Sequence, residues 1–320
     1  LRRGDSPMMR QGSDGRRWID KLARMKRLVV SNGYPLHRNE GFRPFFIVGS
    51  GRCGTTLLRR ILQASPQVHI PPETYMLGPS VRFFRNHPDM LWQHLVTTVL
   101  GMFEYNKKFY RFGISLRPVA QQLWELPEER RSLACMLDAI FRYHGEQTGQ
   151  TFERWGDKTP MNFQSLEPIL ATFPDARFVH LLRDGADVVH SLVQSGLGHD
   201  LTSAAERWKV AIDTIQEFGR EHPSTCCEIR YENLVTDPAP TVEGLCRFLD
   251  LDFQDAMIVS LEHQQEMKDL ENHDHHVNVF RPIMTASIGR GRRAFSAEER
   301  RHLQPLIGSD LVRLGYRALD

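Results

Sequence analysis

A chain of 320 residues with 41% apolar composition can bury a substantial core, which suits one large α/β domain or one domain with appendages. Its 41 basic residues against 39 acidic ones give a net charge of +2, too even for wholesale nucleic-acid binding, and no apolar run reaches the length of a membrane span. The charge is unevenly placed: residues 1–43 hold 11 Lys and Arg against 4 Asp and Glu (+7), leaving 30 against 35 (−5) for the remainder.

Residues 1–17 are rich in Arg, Gly, Ser and Asp and carry no apolar period. From Trp18, apolar residues recur at Ile19, Leu22, Met25, Leu28 and Val29, which predicts a short amphipathic helix docked on the domain. Residues 1–43 therefore read as a basic extension, and 44–320 as a single domain. The start of the chain lacks the apolar core of a secretory signal. The five cysteines, Cys53, Cys135, Cys226, Cys227 and Cys246, are odd in number and lack paired C-x-x-C spacing. Reduced thiols and a cytoplasmic location are expected.

The bulky run Phe45–Val48 suits a buried parallel strand, and the apolar spacing after Thr55 suits a helix that follows at once. The turn between them contains Gly49, Gly51 and Gly54, which permit positive φ and close backbone approach. Such a loop can aim several N–H groups at one anion beside the positive end of a helix. It departs from the P-loop pattern G-x-x-x-x-G-K-[ST], because Thr55 stands at the Lys position and Arg52 is the only cation inside the loop. A turn that merely packs the helix closely on the sheet remains the alternative.

A short strand at residues 68–70 leads through Pro71-Pro72 to Glu73-Thr74, a carboxylate just past a strand end, where parallel sheets bind ligands. An ordinary surface or capping Glu fits the same pattern. Residues 81–150 carry Phe, Trp, Leu and Met at helical spacing and read as a helical insertion. Residues 155–160 read as a polar turn holding Lys158, followed by a helix from Asn162 to Phe173. Arg177–Leu182 is a second buried strand that turns directly into a helix, so Arg183 and Ser191 form a second candidate anion site, with Asp184 and Asp187 at the helix start. Later come a long helix at 204–218, a third strand ending in Tyr231, and helices at 240–249 and 254–266. The cluster at His273, His275 and His276 lacks a carboxylate or Cys partner at a recognisable ligand spacing, so no metal is predicted. Residues 279–293 form a basic glycine-containing loop, and Ser296 with Glu299 makes a capping box for the last helix.

The two anchors, Gly-Ser-Gly-Arg-Cys-Gly-Thr-Thr and Leu-Arg-Asp-Gly-Ala-Asp-Val-Val-His-Ser, resemble those of sulfotransferases that use 3′-phosphoadenosine 5′-phosphosulfate (PAPS), most of all the tyrosylprotein branch and its bacterial relatives. The resemblance implies a P-loop-like three-layer α/β fold, a central parallel sheet flanked by helices, plus the helical insertion. It places the 5′-phosphosulfate on Gly51, Arg52, Cys53, Gly54, Thr55 and Thr56, and the 3′-phosphate on Arg183 and Ser191. Tyr231 falls near the adenosine, and Arg290, Gly291, Arg292 and Arg293 in a loop covering the 3′-phosphate. Glu73 falls at the catalytic base, and Arg52, Lys158 and Ser287 at residues serving the transferring group and its leaving oxygen. The implied reaction moves a sulfuryl group to a hydroxyl or phenol acceptor on a small molecule, carbohydrate or peptide, releases adenosine 3′,5′-bisphosphate (PAP), and needs no metal. A homodimer is compatible with it. Ser195 stands where the branch has an Arg, so that contact to the 3′-phosphate is missing or is replaced by the C-terminal loop; with the membrane anchor and paired cysteines of the animal Golgi enzymes also lacking, a Golgi location and a protein-tyrosine acceptor are not implied. A P-loop kinase and a non-catalytic PAP-binding protein are the alternatives.

Overall fold

The computed structural model describes residues 33–259 and 283–319, so the helix expected from Trp18 and the histidines at 273–276 lie outside the described residues. Five parallel strands form the sheet in the order β2-β3-β1-β4-β5, where β1 is Phe45–Val48, β2 Val68–His69, β3 Arg154–Asp157, β4 Arg177–Leu182 and β5 Cys226–Arg230. The three-layer parallel α/β architecture agrees with the expectation.

Side-chain alternation along β1 builds two cores. Phe45 and Ile47 face one side, packed with Leu58, Ile61, Val179, Leu181 and Trp208. Phe46 and Val48 face the other, packed with Trp155, Phe173, Phe178 and Phe141. Helix α1 (Thr55–Gln63) follows β1, and α2 (Leu77–Asn86), α3 (Trp92–Glu104), α4 (Arg117–Trp124) and α5 (Leu133–Gln147) cover the second core. Next are α6 (Leu166–Thr172), α7 (Gly185–Gln194) after β4, α8 (Leu201–Glu221), α9 (Tyr231–Thr236), α10 (Pro238–Phe248), α11 (Ala256–Val259), α12 (Arg290–Ala294) and α13 (Ala297–Arg313). The capping box at Ser296 and Glu299 forms as expected.

Three expectations need correction. Arg-Trp-Gly-Asp at 154–157 is no polar turn but a buried strand between β1 and β2, and a 3-10 helix, Pro160–Ser165, separates it from α6. Its polar ends are satisfied at a distance: Arg154 donates to the Leu249 carbonyl, and Asp157 accepts from Thr74 Oγ1 at 2.9 Å and Asn162 Nδ2 at 2.7 Å. Tyr231 opens α9 rather than ending β5, and part of the basic loop winds into α12.

Candidate active site

The carboxyl ends of β1, β3 and β4 converge on one site. At the end of β1 the backbone goes left-handed at Gly51 (φ 80°), Arg52 (56°) and Gly54 (102°), which folds the loop into a concave row of amides. Gly49 has an ordinary φ; it is needed because a Cβ there would stand 2.6 Å from Cys53 Sγ. Gly54, the N-cap of α1, offers no side-chain cap, so the amides that open α1 stay free to meet an anion. The Cys53 thiol packs inward, fully buried, and burial raises its pKa, so this residue presents only its backbone to the cradle. A Cβ on Gly54 would run into the Tyr231 ring.

Arg52 and Arg183 lie side by side. Arg52 Nε donates to Ser191 Oγ at 3.1 Å, while Arg183 donates to the Arg52 carbonyl at 3.2 Å and the Ser287 carbonyl at 2.8 Å. Burial and the neighbouring Arg183 charge lower the pKa of Arg52. The Arg183 guanidinium stacks on the Tyr231 ring at 4.3 Å, the Tyr231 hydroxyl meets Ser287 Oγ at 2.6 Å, and the buried Arg183 Nε has no hydrogen-bond partner among the described residues. Two crowded guanidiniums with an unused N–H form a socket of the right charge and geometry for a phosphate.

The first turn of α7 is engaged by other parts of the protein. Asp184 caps it by accepting from the Ala186 amide, and Asp187, buried, accepts the amides of Gly289 and Gly291 at 2.8 and 2.7 Å. Those bonds clamp α12 onto α7 so tightly that a Cβ on Gly291 would overlap the Ala186 carbonyl. Arg292 is committed to Asp184 at 2.7 Å and to the carbonyls of Arg317 and Ala318; Arg293 bonds the Ile288 carbonyl. Arg290, exposed, lies near His190, whose pKa is lowered by burial and then by the Arg290 charge.

On the other flank, the buried Lys158 ion-pairs with Glu73 Oε1 and reaches Thr56 Oγ1 at 3.4 Å, tying the carboxylate to the first turn of α1. Burial pushes the Glu73 carboxyl up, but the Lys158 charge, hydrogen bonds from Lys158 and Tyr75, and the Lys108 charge outweigh it and hold the pKa at about 2. Asp157, behind this pair and fully buried, is raised by burial to about 6.

The sequence-predicted residues Arg52, Thr56, Glu73, Lys158, Arg183, Ser191, Tyr231 and Ser287 thus gather at the carboxyl ends of the central strands, whereas Arg292 and Arg293 spend donors on the protein itself. Nothing in the sequence marks Tyr75, Lys108 or Asp157 as site residues, and Asp187 reads there only as a helix-start charge. Arg207 was missed too, its guanidinium 3.3 Å from the Cβ position of Gly51.

The family model for sulfotransferases matches residues 44–255. The chain belongs to the sulfotransferase family. Among curated relatives, a protein-tyrosine sulfotransferase 1 of Danio rerio is 27% identical over 239 residues, 73% of this chain and 59% of the relative. A protein-tyrosine sulfotransferase of Drosophila melanogaster is 27% identical over 67% of this chain and 39% of its own length. The chain therefore spans less than two thirds of the length of these two relatives. Two solved structures share the fold: the sulfotransferase domain from the curacin biosynthetic pathway (TM-score 0.57, 20% identity, 87% of this chain, 99% of that one) and that of the Synechococcus PCC 7002 olefin synthase (0.56, 20%, 83% and 96%).

Proposed function

We propose that the protein transfers a sulfuryl group from PAPS to a hydroxyl acceptor, most fittingly a phenol, by in-line displacement. The observation that carries this is the placement of two charged pairs across one loop: the cations Arg52 and Arg183 on one flank, the ion pair of Lys158 with Glu73 on the other. The first set suits a bisphosphate. Ser191 and Arg183 would hold the 3′-phosphate, the loop amides of Gly51 to Thr56 the phosphosulfate, and the Tyr231 ring, already stacked by Arg183, would border the adenosine.

The second set suits the chemistry. A hydroxyl attacks sulfur poorly unless a positioned carboxylate takes its proton, the role given to Glu73. As the S–O bond to the 5′-phosphate breaks, negative charge grows on the bridging oxygen, and Arg52 and Lys158 are the cations placed to offset it. Moving Lys158 from Glu73 to that oxygen also removes the main influence holding the carboxyl at about 2, so the base strengthens as the leaving group departs. The tyrosine-sulfating activity named for the relatives supports a phenol on a protein or peptide. Incubation with sulfur-labelled PAPS and a panel of phenols, tyrosyl peptides and sugars should label a phenolic acceptor; label on none of them, or tight ATP-Mg binding without PAP binding, overturns the assignment.

A further inference from the structure

We propose that the phenol of Tyr75 is an internal acceptor, so that with PAPS bound and no substrate present the protein sulfates itself at Tyr75. Its hydroxyl donates to Glu73 Oε2, while Glu73 Oε1 is taken by Lys158. The carboxylate oxygen left for an acceptor hydroxyl is thus already occupied by a hydroxyl of the protein's own.

Two further contacts complete a nucleophile site. Lys108 Nζ donates to the Tyr75 oxygen at 3.0 Å and sits 4.1 Å above its ring, where it can stabilise the charge of an emerging phenolate. The backbone at Tyr75 is left-handed (φ 57°), a conformation that is unfavourable for an aromatic residue and persists only where surroundings enforce it. The enforcing contacts come from Thr74, whose amide donates to Thr159 Oγ1 at 3.1 Å and whose hydroxyl donates to Asp157, binding the segment to both neighbours of Lys158. Base, phenol and phenolate-stabilising cation are therefore assembled beside the donor loop without any substrate.

The step balances as follows. The Tyr75 oxygen bonds to sulfur, its proton passes to Glu73, the bond from sulfur to the bridging oxygen breaks, and the electron pair leaves with PAP. The aryl sulfate formed places a second anion against Glu73, so the modification stops at one group per chain and blocks the base. By contrast Tyr105 and Tyr110, 91% and 74% exposed, are the tyrosines that attack by another molecule would reach first.

Sulfation of Tyr75 presupposes the activity proposed above, and one experiment separates the two. The full chain is incubated with sulfur-labelled PAPS with and without a phenolic acceptor, and protein-bound label is mapped by electron-transfer fragmentation. The expected result is close to one group per chain at Tyr75, formed at a rate independent of protein concentration. Acceptor should suppress it, and both Tyr75→Phe and Glu73→Gln should lack it. Turnover of the external acceptor with no label on the protein, or with label at Tyr105 or Tyr110 instead, overturns the internal acceptor and leaves sulfotransfer standing. Label on neither acceptor nor protein overturns both. Because the site is mapped on the wild-type chain, the result does not depend on how the variants fold.

Discussion

Lys158 is 3% exposed, and its ammonium is shared between a carboxylate and the Thr56 hydroxyl. Removing it should therefore do two things. In Lys158→Met, kcat should fall about 10²- to 10³-fold through lost charge stabilisation. The acid limb of kcat/KM should also move upward: with Lys158 present Glu73 stays ionised until pH approaches 2, and without it burial is less opposed and protonation begins at higher pH. A pH–rate profile checks both. Asp157 behaves in the opposite sense. Its folded pKa of about 6 lies above the ordinary 3.8, so the cost of its ionised form is fully present above pH 6 and is relieved as pH falls from 6 toward 4. Asp157→Asn should flatten that part of a thermal-stability profile. Replacing Arg183 by Lys, which keeps the charge but loses the fork, should weaken PAP binding about tenfold or more by calorimetry. Arg52 and Arg183 were legible in the sequence because each sits at a strand-to-helix turn, whereas Lys158 stood out only through the family resemblance, because the strand before it reads as a polar turn. Asp187 and Tyr75 were not, since besides its ion pair with Arg183 Asp187 holds amides 102 and 104 residues away, and besides Glu73 the Tyr75 hydroxyl meets Lys108 from another segment.

Among elements, β1, β4 and the helices after them announce themselves as apolar runs followed by turns. Strand β3 does not, because Arg-Trp-Gly-Asp has neither alternation nor an apolar run. It is buried only because the Leu249 carbonyl and the Thr74 hydroxyl, 95 and 83 residues away, help satisfy Arg154 and Asp157, and because Gly156 leaves room for the Phe45 ring. Local sequence cannot carry that information. Helix α12 depends on a similar long-range fit to α7. Gly291→Ala should lift it off the Ala186 carbonyl, lower stability by about 1–3 kcal/mol as overpacking does, and weaken PAP binding by loosening the Ser287 segment that contacts Arg183 and Tyr231. Thermal melts and PAP titrations of the same variant check the two effects together.

Across the whole molecule, the sheet separates two cores and delivers three loops to the carboxyl ends of its central strands, so the glycine loop, the Lys158 segment and the Arg183 turn hold fixed spacing. That arrangement keeps Arg52 and Arg183 close before any ligand arrives, with Asp187 3.6 Å from Arg183 offsetting only part of the charge, and an anionic ligand should relieve their repulsion. PAP at a hundredfold excess over its Kd should accordingly stabilise the fold by about 2.7 kcal/mol and raise Tm by several degrees, less so at high salt. The central claim, that one edge of the sheet holds the donor while Glu73 activates the acceptor, is tested most directly by Glu73→Gln, with PAP affinity and turnover measured on the same preparation. PAP should bind at least as tightly as to the wild type, because Lys158 is released to the anion, while turnover on a phenolic acceptor falls about 10²- to 10⁴-fold. Wild-type turnover by Glu73→Gln, or a wild-type protein that takes up no PAP, contradicts it.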